Sequence, residues 1–172
     1  MTWIAPQVDR RTEPYVADER AMLQGWLDRH RDTLLGKCAG LTPEQLVRPS
    51  AEPSNLTLLG LVRHMADVER SWFRQRVAGQ KIGDLYFTED RPDADFEVLD
   101  TAQAEAAFAA LRAEIDAADQ AVAHRGLDDT FTMADGRTIS LRWVYVHMIE
   151  EYARHNGHAD LLRERIDGAT GE

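Results

Sequence analysis

Apolar residues recur at every third or fourth position in four long stretches of the chain, with polar residues between them. This periodicity is typical of amphipathic α-helices that bury one face. The predicted helices run from Ala17 to Cys38, from Leu58 to about Gly79, from Thr101 to His124 and from Leu141 to Ile166. On the first helix the predicted apolar positions are Met22, Trp26, Leu27, Leu34 and Leu35.

Residue types that begin and end helices flank these stretches. Thr57 and Ser140 precede the second and fourth stretches, where a side-chain oxygen can accept a hydrogen bond from a free backbone N–H group. Gly40 and Gly168 follow the first and fourth stretches, and glycine readily adopts the left-handed conformation that ends a helix. In "LTPEQL", Thr42 precedes a proline and predicts a short capped helical turn.

The connections between the helices differ in length and character. "FTMADGRTIS", residues 131–140, predicts a small β-hairpin before the fourth helix. Residues 79–100 form a linker of 22 residues, which is long for a helical bundle and fits a crossover between two parallel helices. Its aromatic residues Tyr86, Phe87 and Phe96 favour either an anchored surface loop or a lid over a pocket. We therefore predict an all-α four-helix bundle.

Composition narrows the classes of protein that need to be considered. The 172 residues fit one domain, 1–172, in which 1–16 form an extended N-terminal arm. The chain has neither an apolar run of about 18 residues nor a signal-like N-terminus, so we expect a cytoplasmic protein. A net charge of −10 without a dense Lys/Arg cluster argues against nucleic-acid binding. The single cysteine, Cys38, ends an apolar stripe and is predicted to be a buried, unreactive thiol.

The fourth helix carries an unusual strip of polar side chains on its core side. His147, Glu151, His155 and His158 fall within an arc of about 80° at 100° per residue. The same arc continues into apolar residues at both ends, so these four side chains are predicted to face inward. Burying them without partners would cost several kcal/mol, a cost that coordination to a divalent cation would remove.

A metal site on this helix would require a third ligand from a facing helix. Glu151 and His155, four residues apart, offer two ligands from one face. His64, in "LVRHMADVERSW", lies on the apolar face of the second helix and would reach similar depth if the two helices are antiparallel. Hydrogen-bonded core histidines, a buried polar network and a dimer seam are the alternative interpretations.

Two segments together resemble a known superfamily. "GLVRHMADVERSWF" and "HMIEEYARHNGHADLLRER" are similar to the DinB/YfiT-like metalloenzymes, and more narrowly to an actinobacterial branch described as a DinB-related domain of unknown function. The resemblance runs nearly end to end. It implies a four-helix bundle of up-down-down-up topology with a long crossover between helices 2 and 3. It also implies a divalent metal, zinc or nickel, held by His64, Glu151 and His155.

The chain departs from the usual pattern of that superfamily at one ligand. Many members have histidine at the position of Glu151, and the His/Glu/His set resembles the mycothiol-dependent maleylpyruvate isomerases instead. Those isomerases carry a C-terminal domain with an active-site arginine that this sequence lacks, so isomerase activity is not expected. His147 and His158 match no ligand position and are expected beside the ligands or in the pocket.

The resemblance implies a function in thiol chemistry. The superfamily includes S-transferases that use mycothiol, bacillithiol or related small thiols. We expect a metal-dependent thiol S-transferase that modifies small electrophiles, because three protein ligands leave a position open at the metal and coordination lowers the pKa of a thiol. A metal-dependent hydrolase and a non-catalytic metal-binding module are the alternatives, and a homodimer is a further expectation.

Overall fold

The computed structural model describes residues 3–97 and 100–171. Within them the chain is mostly helical, with five α-helices and one two-stranded antiparallel sheet. The elements are α1 (Glu19–Cys38), α2 (Pro43–Leu46), α3 (Leu58–Glu69), α4 (Ala104–Val122), β1 (Thr130–Thr132), β2 (Thr138–Ser140) and α5 (Leu141–Asp167). A π-helical segment, Arg70–Val77, continues α3, and a short 3₁₀ turn, Thr101–Gln103, precedes α4.

The predicted helix boundaries are confirmed to within a few residues. Thr57 and Ser140 each accept a hydrogen bond from the backbone N–H three residues later, as capping residues do. Gly168 ends α5 with φ of 79°, in the left-handed region. Helix α1 begins later than predicted, at Glu19, because the Asp18 side chain caps it. The short helical turn and the hairpin form where the sequence predicts them.

The second predicted helix contains an irregularity that its periodicity did not indicate. The α-helix ends at Glu69, and the backbone continues as a π-helix to Val77. The N–H of Ala78 accordingly donates to the carbonyl of Phe73, five residues earlier, at 3.0 Å. Such segments are rare and are frequently found at functional sites.

The long helices pack with defined relative directions. Arg142 pairs with Glu19 at one end of α1 and α5, and Lys37 pairs with Asp160 near the other, so these helices are parallel. Helices α3 and α5 are antiparallel, because the ring of His64 contacts that of His155 while Trp72 contacts Trp143. The core between the helices is apolar; its buried members include Leu27, Leu61, Met65, Leu111, Val144 and Leu162.

A charged network is buried at the centre of the core. The Arg31 guanidinium is fully buried and donates to both carboxylate oxygens of Glu69, at 2.7 and 2.8 Å. It also donates to Asp119, and the Tyr152 hydroxyl donates to Glu69 at 2.9 Å. Burial and the neighbouring Glu69 carboxylate raise the pKa of Tyr152 well above its usual value. The network thus joins α1, α3, α4 and α5 through polar contacts.

The crossover is held against α3 by side chains of that helix. The Asp67 carboxylate accepts hydrogen bonds from three consecutive backbone N–H groups, those of residues 85, 86 and 87, at 2.6 to 3.0 Å. The Arg63 guanidinium lies 4.3 Å from the centre of the Tyr86 ring and donates to the carbonyl of Ala94. These contacts fix the path of the crossover beside His64.

Two further expectations can be compared with the structure. Cys38 is fully buried at the end of α1, and burial raises the pKa of its thiol to about 12, as expected of an unreactive cysteine. None of the helices in the described part of the chain combines the length and the apolar character that a membrane span requires.

Candidate metal centre

The structure brings His64, Glu151 and His155 together between α3 and α5. Their potential ligand atoms all lie within 4.8 Å of one another. The Nε2 atom of His155 is 3.4 Å from a carboxylate oxygen of Glu151, and the ring centres of His64 and His155 are 4.8 Å apart. All three side chains are half-buried. The two helices are antiparallel, which is the condition under which the sequence places these side chains at similar depth.

Asp95, in the crossover, orients His64. Its carboxylate accepts a hydrogen bond from Nδ1 of His64 at 2.7 Å, and its side chain is almost fully buried. A carboxylate only accepts hydrogen bonds here, so Nδ1 of His64 carries the hydrogen and Nε2 is left to face the centre. Sequence reasoning missed this residue, because only the folded path of the crossover distinguishes Asp95 from the other acidic residues around it.

His158 lies beside His155 on the same helix. The Nδ1 atoms of the two rings are 3.3 Å apart, so Nε2 of His155 is directed toward Glu151. Burial, with smaller contributions from the neighbouring His64 and His158, lowers the pKa of His155 to about 4. His155 is therefore neutral near pH 7, which is the protonation state that a metal ligand requires.

His147 lies on the outer side of Glu151, among aromatic rings. Its imidazole stacks on Trp143 with ring centres 4.9 Å apart and meets the Trp72 ring edge-on at 4.7 Å. Its Nε2 atom is 3.7 Å from Glu151. A second cluster of potential ligands consists of His147, Glu150 and Glu151. Its member Glu150 is exposed and already pairs with Arg154. The first cluster is the more enclosed and the better oriented.

The residues of the first cluster fit a divalent cation. Bonds of about 2.0–2.1 Å to tetrahedrally arranged ligands place those ligands roughly 3.4 Å apart. The separation between His155 Nε2 and the Glu151 oxygen has this length. Two imidazole nitrogens and one carboxylate oxygen suit zinc and similar metals, and three protein ligands leave one position for an exogenous ligand.

A cleft of about 490 Å³ opens beside His64. One wall is the face of α3 and the π-helical segment that carries Val68, Trp72 and Arg76. The opposite wall is the crossover, including Phe87 and Asp95. The crossover is therefore anchored by aromatic residues and also lines one wall of the cleft. The cleft is large enough for a small molecule that reaches the candidate centre.

Comparison with known proteins gives one match. A family model described as mycothiol-S-transferase matches residues 22–168. No curated protein and no solved structure matches the chain. The matched span contains His64, Asp95, Glu151 and His155, and with them both walls of the cleft.

Proposed function

Because the chain belongs to the mycothiol-S-transferase family, we propose that it is a divalent-metal-dependent thiol S-transferase that uses mycothiol or a related small thiol. The observation that carries the proposal is the convergence of His64, Glu151 and His155, together with a ligand-sized cleft that His64 also lines. A transferase needs both features, since the thiol must be activated at a defined point and an electrophile must approach it there.

We assign the metal-binding roles to His64 Nε2, His155 Nε2 and the Glu151 carboxylate. In this assignment Asp95 holds the His64 ring and His158 accepts a hydrogen bond from Nδ1 of His155. The two imidazoles are neutral, and the single carboxylate cancels one of the two positive charges of a divalent cation. The site would therefore keep a net positive charge. A bound zinc or nickel ion would supply Lewis acidity that lowers the pKa of a thiol.

The reaction we propose is a substitution at an electrophilic carbon. The thiol sulfur forms the new S–C bond, the leaving group departs with the bonding electron pair, and the thiol proton passes to solvent. In this proposal the chain contributes position, because the cleft beside His64 would bring the electrophile to the sulfur. With water in place of the thiol, the same site would act as a hydrolase.

We also propose that the four long helices form a bundle of up-down-down-up order. The parallel pairing of α1 with α5 and the antiparallel pairing of α3 with α5 support this order. The guanidinium of Arg20, at the start of α1, donates to the carbonyl of Val122 at the end of α4, which supports an antiparallel arrangement of that pair. The long crossover is then required, because α3 and α4 have the same direction.

The proposal is tested by metal analysis and thiol-dependent turnover of the same preparation. Protein purified without a His-tag is expected to bind about one divalent ion per chain and, when loaded, to accelerate the reaction of mycothiol with an electrophile such as monochlorobimane. Metal-dependent loss of the electrophile without thiol would instead identify a hydrolase. Metal binding without any turnover would identify a binding module. Either result would refute the transferase proposal.

Replacing Gly60 by alanine is expected to weaken metal binding from a distance. A Cβ atom at this position would lie 2.6 Å from a ring carbon of Phe96, which neighbours Asp95 and contacts the His64 ring. Displacing Phe96 would shift the carboxylate that orients His64, and loss of such a contact typically costs about 10- to 100-fold in metal affinity. Chelator competition measures this affinity.

Gly36→Ala is the matched control for that measurement. A Cβ atom at Gly36, which is also helical, would meet nothing within 4 Å. Its metal affinity should equal that of the unmodified protein, while its thermal stability should be equal or higher. Equal affinities for the two alanine variants would contradict the proposed link between the crossover and the centre.

A further inference from the structure

A second cavity, of about 570 Å³, lies between α1 and α5. Its lining residues recur at intervals of three or four on both helices: Arg29, Thr33 and Lys37 on α1, and Asn156, Asp160 and Arg163 on α5. Contacts join the two strips, since Nζ of Lys37 lies 2.5 Å from the Asp160 carboxylate and the Arg163 guanidinium donates to the carbonyl of Lys37 at 2.9 Å. The N-terminal arm and residues 169–171, which follow α5, complete the walls.

This cavity is separate from the candidate metal centre. Among the described residues, none that lines it is a proposed metal ligand or lines the cleft beside His64. His155 and Asn156 are consecutive, but successive side chains of a helix point about 100° apart. His155 accordingly contacts His64 of α3, whereas Asn156 contacts His30 of α1. A ligand bound here would therefore be independent of the proposed thiol chemistry.

The walls of the cavity are positively charged, although the net charge of the chain is −10. Four cationic side chains face two carboxylates, which leaves an excess of two positive charges. The cations are Arg10, Arg29, Lys37 and Arg163, and the carboxylates are Asp160 and Glu164. A local excess of this sign favours a small anion with about two negative charges.

Lys37 retains a hydrogen-bond donor for such an anion. Its ammonium group has three N–H bonds, and the contacts with the Asp160 carboxylate and the Gly171 carbonyl account for two of them. The Lys37 side chain is 12% exposed. Because it is shielded from water in this way, its attraction to an anion in the cavity is stronger than that of a fully solvated lysine.

Asn156 supplies a hydrogen-bond acceptor that the fold leaves unpaired. The residue is 6% exposed, and its Nδ2 atom donates to the backbone carbonyl of His30 at 3.1 Å. That contact fixes the orientation of the amide. The Oδ1 atom is buried and has no hydrogen-bond partner in the part of the chain that the structure describes. A buried acceptor without a partner is unfavourable, and a hydroxyl group of a ligand would satisfy it.

We propose that this cavity binds a small oxyanion that also carries a hydroxyl group, namely a hydroxy acid or a phosphate ester of a polyol. The oxyanion pairs with Lys37 and the guanidinium groups beside it, and the hydroxyl group donates to Oδ1 of Asn156. An anion without a hydroxyl group would leave Oδ1 unpaired, and a neutral polyol would leave the positive charge uncompensated. The volume of the cavity suits a molecule of this size.

The test compares two pairs of anions by calorimetry on the metal-loaded protein. Malate carries a hydroxyl group that succinate lacks, and glycerol 3-phosphate carries hydroxyl groups that propyl phosphate lacks. In at least one pair the hydroxylated member is expected to bind at least about fivefold more tightly, the effect of one net hydrogen bond. The pair that binds more tightly identifies the oxyanion as a carboxylate or a phosphate. Asn156→Ala should bring the ratio within that pair close to one.

Lys37→Gln should weaken binding of the hydroxylated anion at least about tenfold, because it removes a charged donor. Lys81→Gln is the matched control: Lys81 is the other lysine of the chain, is exposed in the crossover and does not line the cavity. The affinity of this variant should be unchanged. His64→Ala removes a proposed metal ligand outside the cavity and should bind the anion as tightly as the unmodified protein does.

Three results would overturn the proposal. The first is equal affinity within both pairs, or no binding of any of the four anions at millimolar concentration. The second is an equal loss of affinity in Lys37→Gln and Lys81→Gln, which would mean that only the net charge of the protein matters. The third is binding that His64→Ala abolishes and Lys37→Gln retains, which would place the anion at the metal centre.

Discussion

Replacing His155 by alanine is expected to remove the metal and, with it, the thiol-dependent activity. His155 is the best-oriented member of the trio, since its Nε2 atom lies 3.4 Å from Glu151 and its Nδ1 atom contacts His158. Loss of a residue that merely orients a ligand costs about 10- to 100-fold in affinity, so loss of the ligand itself should cost more than about 100-fold. Glu151→Ala and His64→Ala should have comparable effects.

Two other histidine variants serve as comparisons for the effect of His155→Ala. His124→Ala removes an exposed imidazole just beyond α4 and should leave both metal content and activity unchanged. His158→Ala should retain most of the metal, because His158 contacts a proposed ligand rather than serving as one, but should alter the activity. Metal content is measured by elemental analysis after dialysis. If His158→Ala lost the metal and Glu151→Ala kept it, the proposed ligand assignment on α5 would be wrong.

Replacing Glu69 by alanine is expected to have the largest effect on stability. The substitution would leave the Arg31 guanidinium fully buried without its bidentate partner and would remove the acceptor of the Tyr152 hydroxyl. Removing one member of a buried ion pair typically costs about 3–5 kcal/mol. The free energy of unfolding, measured by urea titration, should fall by this amount. A decrease below about 1 kcal/mol would mean that the network contributes little.

A double replacement distinguishes an unpaired buried charge from lost packing as the cause of this loss of stability. Arg31→Met combined with Glu69→Leu removes both charges and keeps apolar volume, so its cost should be much smaller than that of Glu69→Ala. Asp135→Ala is the surface control: it breaks the exposed pair between Arg137 and Asp135 and should leave the free energy of unfolding essentially unchanged. A double variant as unstable as Glu69→Ala would assign the loss to packing rather than to an unpaired charge.

Features of this fold that depend on residues close together in the sequence could be predicted, whereas features that depend on distant residues could not. Caps such as Thr57 and Ser140 act within three residues, and the helices and the hairpin were therefore found near their true positions. The first helix shows where periodicity misleads: Trp26, predicted on its apolar face, is 39% exposed, whereas Arg31 is fully buried. A distant carboxylate stabilises Arg31 in the core, and no local pattern reveals that partner.

The candidate site also contains some residues that the sequence predicts and others that it does not. His64, Glu151 and His155 were brought together by helix spacing and by one assumption about helix direction, which the structure satisfies. Asp95 could not be predicted, because its contact with His64 spans 31 residues through a segment without periodicity. The π-helical segment was equally hidden, since its residues continue an apolar pattern that an α-helix would also satisfy. The contribution of the crossover to the candidate site can be recognised only in the folded structure.

The burial of Cys38 has a consequence for the proposed reaction with electrophiles. Cys38 is the only cysteine of the chain, is fully buried, and has a thiol pKa of about 12. At neutral pH almost none of it is thiolate, the form that reacts with alkylating agents. An enzyme that concentrates such reagents beside its own backbone is exposed to self-alkylation and suicide inactivation. In the proposed reaction the small thiol would therefore be the only reactive thiol at the site, and turnover would leave Cys38 unmodified.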